Sequence, residues 1–232
     1  MRLLTCLTST ALVLAVLLAP GTAVAKKLDE AFIRIEINDT DGDGGIHVFI
    51  DGEGWDTMQM TGPNGDILLS IAAESAIGLQ GVNEFFFESA EPSFDEQPLE
   101  DLLERFPAGV YRFRGVTTEG RRLRGRARLN HRIPDAPVQI SPFDGESVDP
   151  DNAVFTWAPV DDPPGGEISG YEFIIECDEP EVEFLAQVES EVTSITVPPE
   201  FLDQDNDDCK WEILAIEDGG NQVISETEFS LD

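Results

Sequence analysis

Lysine is almost missing from this chain. Lys26, Lys27 and Lys210 are its only lysines, and with the arginines they make 14 basic residues against 47 acidic ones, a net charge of −33 over 232 residues. A chain this acidic repels the phosphate backbone, which excludes nucleic acid as an ordinary partner. Histidine is as scarce. His47 and His131 are the only two, neither stands in a metal-ligand spacing such as H-E-x-x-H, and His47 reads as an ordinary surface residue of a strand. There is no G-x-S-x-G elbow and no glycine-rich phosphate loop. Acid pairs are so numerous that choosing two as a glycosidase pair would be arbitrary. An extracellular hydrolase is therefore the third reading, and the first is that the chain is not an enzyme. Cysteine is sparse too: Cys6, Cys177 and Cys209.

Long apolar runs are absent, except at the start. Arg2, the run Ala11–Leu18 and the small residues Ala23-Val24-Ala25 have the three-part pattern of a secretory signal peptide over residues 1–25. The run is shorter than the roughly 20 residues of a membrane span. The expected product starts at Lys26, has no membrane span after cleavage and is secreted or periplasmic. Cleavage removes Cys6 and leaves an even pair, which in an exported protein suggests a disulfide. The remaining length suits two domains of about 100 residues. Pro134 and Pro137 bracket a linker, and beyond Ile133 there are 27 acids against the single base Lys210. The expected division is 26–132 and 133–232.

Strand signals dominate. Phe32–Ile37 and Ile46–Ile50 are β-branched and alternating, Asp66–Ile71 follows the turn Pro63-Asn64-Gly65, and Phe85–Phe87 is a short aromatic run. One helix is predicted, over Pro98–Phe106. Proline opens it, Glu100 and Asp101 suit its positive end, and Leu99, Leu102, Leu103 and Phe106 form a stripe. Next comes VYRFRGVTTEGRRLRGRARL (Val110–Leu129), which holds seven arginines and one acid, Glu119. Thr118-Glu119-Gly120 can turn a hairpin. Alternation then sends Tyr111, Phe113, Leu123, Ala127 and Leu129 to one face and Arg112, Arg114, Arg122, Arg124, Arg126 and Arg128 to the other. Such a face either pairs with local acids, docks against the acidic second domain, or binds an anionic ligand, for which an anionic glycan or an acidic protein surface is the matching chemistry.

In the second domain, Phe155-Thr156-Trp157-Ala158-Pro159, Tyr171 at the head of a strand, Thr193–Pro198, and Trp211, Ile213 and Ala215 followed by Asp218-Gly219-Gly220-Asn221 resemble the fibronectin type III domains. The resemblance covers about Ile133–Asp232. It implies a β-sandwich serving as spacer, adhesion or binding module, with no catalytic residues. Cys209 stands where that family usually has the tyrosine anchoring its sixth strand. The resemblance places Cys177, ending the third strand, beside it, so a Cys177–Cys209 disulfide would replace the anchor. The fold class expected overall is mainly β: two β-sandwiches, the first immunoglobulin-like.

Calcium is the one cofactor the sequence suggests. Asp39, Asp41 and Asp43, with Gly44, follow the D-x-D-x-D-G spacing that can converge oxygens on Ca²⁺, which would make the chain a calcium-binding adhesion or matrix protein. Ile50 stands where an EF-hand has glutamate, and a strand precedes the loop, so a plain Asp-Gly turn is the other reading. Asp203, Asp205 and Asp207 repeat the spacing more weakly. Asn38-Asp39-Thr40 is a glycosylation sequon.

Overall fold

The computed structural model describes residues 25–177, 182–202 and 209–231. All but the last residue of the expected signal peptide, and Asp203, Asp205 and Asp207, lie outside them.

The first half contains β1 (Lys26–Lys27), β2 (Glu30–Asn38), β3 (Asp43–Thr61), β4 (Ile67–Ala72), β5 (Val82–Glu88), β6 (Gly109–Thr117) and β7 (Arg122–Leu129), with helices α1 (Ser75–Gln80) and α2 (Leu99–Arg105). The 19-residue β3 pairs with four strands of one sheet. Its opening part lies between β2 and β5, and its closing part lies between β6 and β4. The register shifts fall between Asp51 and Thr57, around Gly52-Glu53-Gly54. A Cβ on Gly52 would stand 2.9 Å from a Leu28 methyl, so glycine lets the strand bend against its neighbour. β1 pairs in parallel with β7 and runs on into β2, which pairs with β3. The strands thus wrap one core, in which Ile35, Val48, Ile50, Trp55, Tyr111 and Phe113 are wholly buried.

Helix α2 forms as its stripe predicts. Leu102 is buried, Pro98 is the N-cap residue and Arg105 sits in the last turn. The Phe106 carbonyl is tied to His131 Nε2 at 2.9 Å, and the Tyr111 hydroxyl donates to the Pro107 carbonyl at 3.1 Å, which fixes the corner into β6. Helix α1 is not foreseen in the sequence, for a physical reason. None of its residues is buried, and Ile77 and Leu79 face outward, so no apolar stripe marks it.

The second half contains β8 (Gln139–Ser141), β9 (Glu146–Val148), β10 (Val154–Trp157), β11 (Ile168–Cys177), β12 (Val182–Glu189), β13 (Ser194–Thr196), β14 (Cys209–Glu217) and β15 (Gln222–Leu231). The sheet β8–β10–β13 packs on β15–β14–β11–β12, with β9 at the edge of β15. Between them Phe155 meets Phe173, Trp211 and Phe229 at ring separations of 5.2–5.5 Å. β11 and β14 are antiparallel neighbours with Cys177 opposite Cys209, and the two are disulfide-bonded.

The two cores are separate, but the sheets are continuous. β15 pairs in parallel with β2, and Val223 packs into the first core. Asn221, 1 % exposed, extends the pairing: its side-chain oxygen accepts from the Ile35 amide at 2.9 Å, and its NH2 donates to Asn130 and to the Arg132 carbonyl. Beside it the fully buried carboxylate of Glu217 meets Arg132 at 3.0 Å and accepts from Asn130 and from the Gly219 and Asn221 amides. A buried carboxylate is stable only when paired and fully hydrogen-bonded.

Replacing Arg132 with alanine strands Glu217, and the unfolding free energy should fall by about 3 kcal/mol, seen as a lower denaturant midpoint at unchanged slope. The double change Cys177→Ser and Cys209→Ser opens a loop with a sequence separation of 32 and should cost roughly 3–4 kcal/mol in the same titration.

Candidate functional site: an arginine sheet face

The hairpin β6–β7 forms as its alternation requires. Gly120 takes φ +76° in the turn, and the Thr117 hydroxyl and carbonyl accept from the Arg121 and Gly120 amides. Tyr111, Phe113, Leu123, Ala127 and Leu129 are buried. Gly125 shares that face, and a Cβ there would stand 2.4 Å from a Leu28 methyl, so its bareness seats Leu28 under β7. The other face exposes Arg112, Arg114, Arg122, Arg124, Arg126 and Arg128.

Cross-strand register makes these six a grid. Arg112 stands opposite Arg126, and Arg114 opposite Arg124. On the far side of β6, Thr61, Gln59 and Thr57 of β3 stand opposite Arg112, Arg114 and Val116. Exposed Lys27 of β1 is level with Arg124 and joins the face. Sequence inspection misses it, because a two-residue strand has no readable period. None of the contributing stretches, Lys26–Lys27, Thr57–Thr61, Ile67–Ala72, Gly109–Thr117 and Arg122–Leu129, contains an acid. A shallow depression of about 440 Å³ lies in this face, lined by Thr57, Arg114, Gly115, Val116, Arg122, Leu123 and Arg124.

Among the described residues none of the six arginines forms an ion pair. Other cations of the chain do. Arg121, the seventh arginine of the stretch, is bonded to Glu53 and Glu119, Lys26 meets Glu53, and Lys210 meets Glu176, Glu212 and Glu226. Among the described residues the six arginines meet no carboxylate of either half. The acidic half joins the first through β2 and β15. Like charges directly opposite on a sheet are destabilising by about 0.2–1 kcal/mol per pair, so the grid opposes the stability of its own hairpin.

The aspartate loop uses its polar atoms on itself. The Asn38 side-chain oxygen accepts from the Thr40 and Asp41 amides at 3.0 and 3.1 Å, and Gly42 turns the chain at φ +70°. Asn38 and Thr40 also bond to Glu226 of β15, which makes the turn a clasp between the halves. Burial, with Asp41 and Glu226 nearby, holds the Asp43 carboxyl above its ordinary range. The ligand oxygens of Asp39, Asp41 and Asp43 do not gather. Among the described residues one such group comes together, Glu36, His47 and Glu91. His47 corrects its sequence reading: it is 4 % exposed, because β5 and the segment after it cover this side of β3.

No family model and no curated protein matches this chain. Among solved structures it is similar to a tetra-tandem repeat in the extending region of a large adhesion protein, at 14 % identity and TM-score 0.30, over 88 % of this chain and 50 % of that one. It thus spans half the length of that structure. It is also similar to the FN1–FN3 domains of chicken CNTN1, at 8 % identity and TM-score 0.32, over 89 % of this chain and 68 % of that one. A two-domain fibronectin type III segment of chicken tenascin matches at 11 % identity and TM-score 0.28, over 88 % of this chain and 98 % of that one.

Changing Arg124 to serine relieves its repulsion with Arg114. At low ionic strength this variant should be more stable than the parent by about 0.5 kcal/mol. The gain should vanish in 1 M salt, where the screening length falls to about 3 Å. Lower stability in the variant would mean that Arg124 has an acidic partner in solution.

Proposed function

We propose that this protein is an exported, non-enzymatic binding or structural module, that residues 1–25 direct it out of the cell, and that the units 26–132 and 133–232 are its two domains. Its ligand face is the arginine grid, and its ligand is a polyanion, either an acidic glycan or an acidic protein surface. The observation that carries this reading is that a chain of net charge −33 leaves six exposed arginines on one sheet face with no carboxylate partner among the described residues. Guanidinium groups suit the role because each presents a flat fork of donors to a carboxylate or sulfate. Their spacing is set by the sheet, roughly 5 Å between strands and about 7 Å between alternate residues along one. A repeating anion can engage several at once. The surrounding acids repel polyanions in general, so affinity depends on contact with several arginines together.

The test is binding to heparin, polyglutamate and neutral dextran at moderate salt, beside a variant carrying Arg122→Ser, Arg124→Ser and Arg126→Ser. The expected result is binding to one or both polyanions and not to dextran, at least 10-fold weaker in the variant and weakening with added salt. Equal binding by parent and variant, or none by either, overturns the proposal.

A further inference from the structure

A second polar cluster lies on the outer side of β2, β3 and β5. The alternation that sends Ile33, Ile35 and Ile37 inward sends Arg34 and Glu36 outward. Register sets Arg34 beside His47 and Glu36 beside Gly45, while Glu88 of β5 flanks His47 on its other edge. The chain then folds back across β3, held by Ser89, whose hydroxyl accepts from the Ile46 amide at 2.9 Å. A Cβ on Gly45 would stand 2.8 Å from Ser89 Oγ and 2.9 Å from Glu91 Cγ. Glycine at 45 is what lets Glu91 settle beside His47 and Glu36.

One ligand atom from each of Glu36, His47 and Glu91 lies within 4.8 Å of the others. His47 Nε2 points into this group. It is buried without a hydrogen-bond partner, 3.4 Å from Glu36 Oε1 and 3.6 Å from Glu88 Oε2. Those separations are long for a hydrogen bond. They are close to the edge of a tetrahedron around a metal with bonds of about 2.0–2.1 Å, roughly 3.3–3.4 Å. Burial, then the neighbouring carboxylates, pushes Glu36 and Glu91 up to about 7, and burial with Arg34 holds His47 down to about 4. The imidazole of His47 and the carboxyl groups of Glu36, Glu88 and Glu91 face one another, with Arg34 beside them.

The geometry points to a binding site for a divalent first-row transition metal of the zinc type, with His47, Glu36 and Glu91 as ligands and Glu88 as the fourth, at the solvent-facing rim. The imidazole nitrogen discriminates against Ca²⁺, which takes six to eight oxygens. Gln222 of β15 donates its side-chain amide to the second oxygen of Glu36 and so orients that ligand. Glu88, 48 % exposed, provides the way in from solvent. Arg34 Nη2 stands 3.4 Å from His47 Nδ1. A metal on Nε2 would require the ring proton on Nδ1, where it would displace Arg34 toward the carboxylates of Glu36 and Glu172, whose charge it feels.

The test uses tag-free protein stripped with chelator and titrated with Zn²⁺, Co²⁺ and, separately, Ca²⁺. Zn²⁺ should bind one per chain and, at a hundredfold excess over Kd, raise Tm by about 5–10 °C. Co²⁺ should give a visible absorption band with the same stoichiometry, and Ca²⁺ should give no shift. Glu91→Gln and His47→Gln should each weaken Zn²⁺ binding at least 10-fold, and Asp39→Asn with Asp41→Asn should leave it unchanged. Glu91 sits on a loop, so its variant answers the question even where the histidine variant fails to fold. Absence of a saturable 1:1 Zn²⁺ response, or a response untouched by Glu91→Gln, overturns the inference.

Discussion

The buried carboxylate of Glu217 and the groups that satisfy it hold the two halves of the chain in one sheet. Arg132 supplies the charge, while Asn130 and the amides of Gly219 and Asn221 supply the remaining donors. Asn221 turns the same cluster outward and caps the Ile35 amide, so the ladder between β15 and β2 begins on a side chain and continues on backbone. A network of this kind is stable only when complete, because each member left alone in low dielectric costs more than it contributed. Its completeness fixes where β15 meets β2. That in turn sets Gln222 against Glu36 and Glu226 against the Asn38 turn.

This junction also explains the distribution of charge. The acidic half meets the first half along β2, which lies between β3 and β15 in the sheet, while the arginines stand on β6 and β7. Lys210, the one base among the described residues of that half, is held above the ordinary lysine range: burial opposes its charge, but hydrogen bonds and ion pairs with Glu212, Glu176 and Glu226 outweigh it. Among the described residues no carboxylate neutralises the arginine grid. Two polar surfaces result: a cationic face on β6 and β7, open to solvent, and an anionic cluster on β2, β3 and β5 built around a histidine. They share strand β3 at its two ends, so one bent strand positions both.

Much of the arginine face is legible in the sequence because period-2 alternation is a local property. Tyr111 and Phe113 against Arg112 and Arg114 need no tertiary information to be assigned to opposite faces. The cysteine pair is legible through the resemblance to fibronectin type III domains, which implies that strands β11 and β14 are neighbours. His47 is misread for the converse reason. Alternation correctly places it on the outer side of β3, but burial of that side depends on β5 and on the return of the chain at Ser89 to Glu91. The aspartate loop has the spacing of a calcium loop, and its backbone turns on the Asn38 side chain, which accepts from the Thr40 and Asp41 amides; which use the loop is put to is not a local property of its spacing.

The sequence by itself determined the β-rich class, the acidity, the helix at Leu99–Arg105 and the six arginines of one sheet face, because each follows from composition or from a short-range period. Tertiary structure alone decided that those arginines have no carboxylate partner among the described residues, that one continuous sheet joins the two cores, and that Glu36, His47 and Glu91 meet. These depend on which strand edges find each other across long stretches of chain, and the partners are chosen by buried polar groups such as Asn221 and Glu217, whose roles appear only when their surroundings are in place.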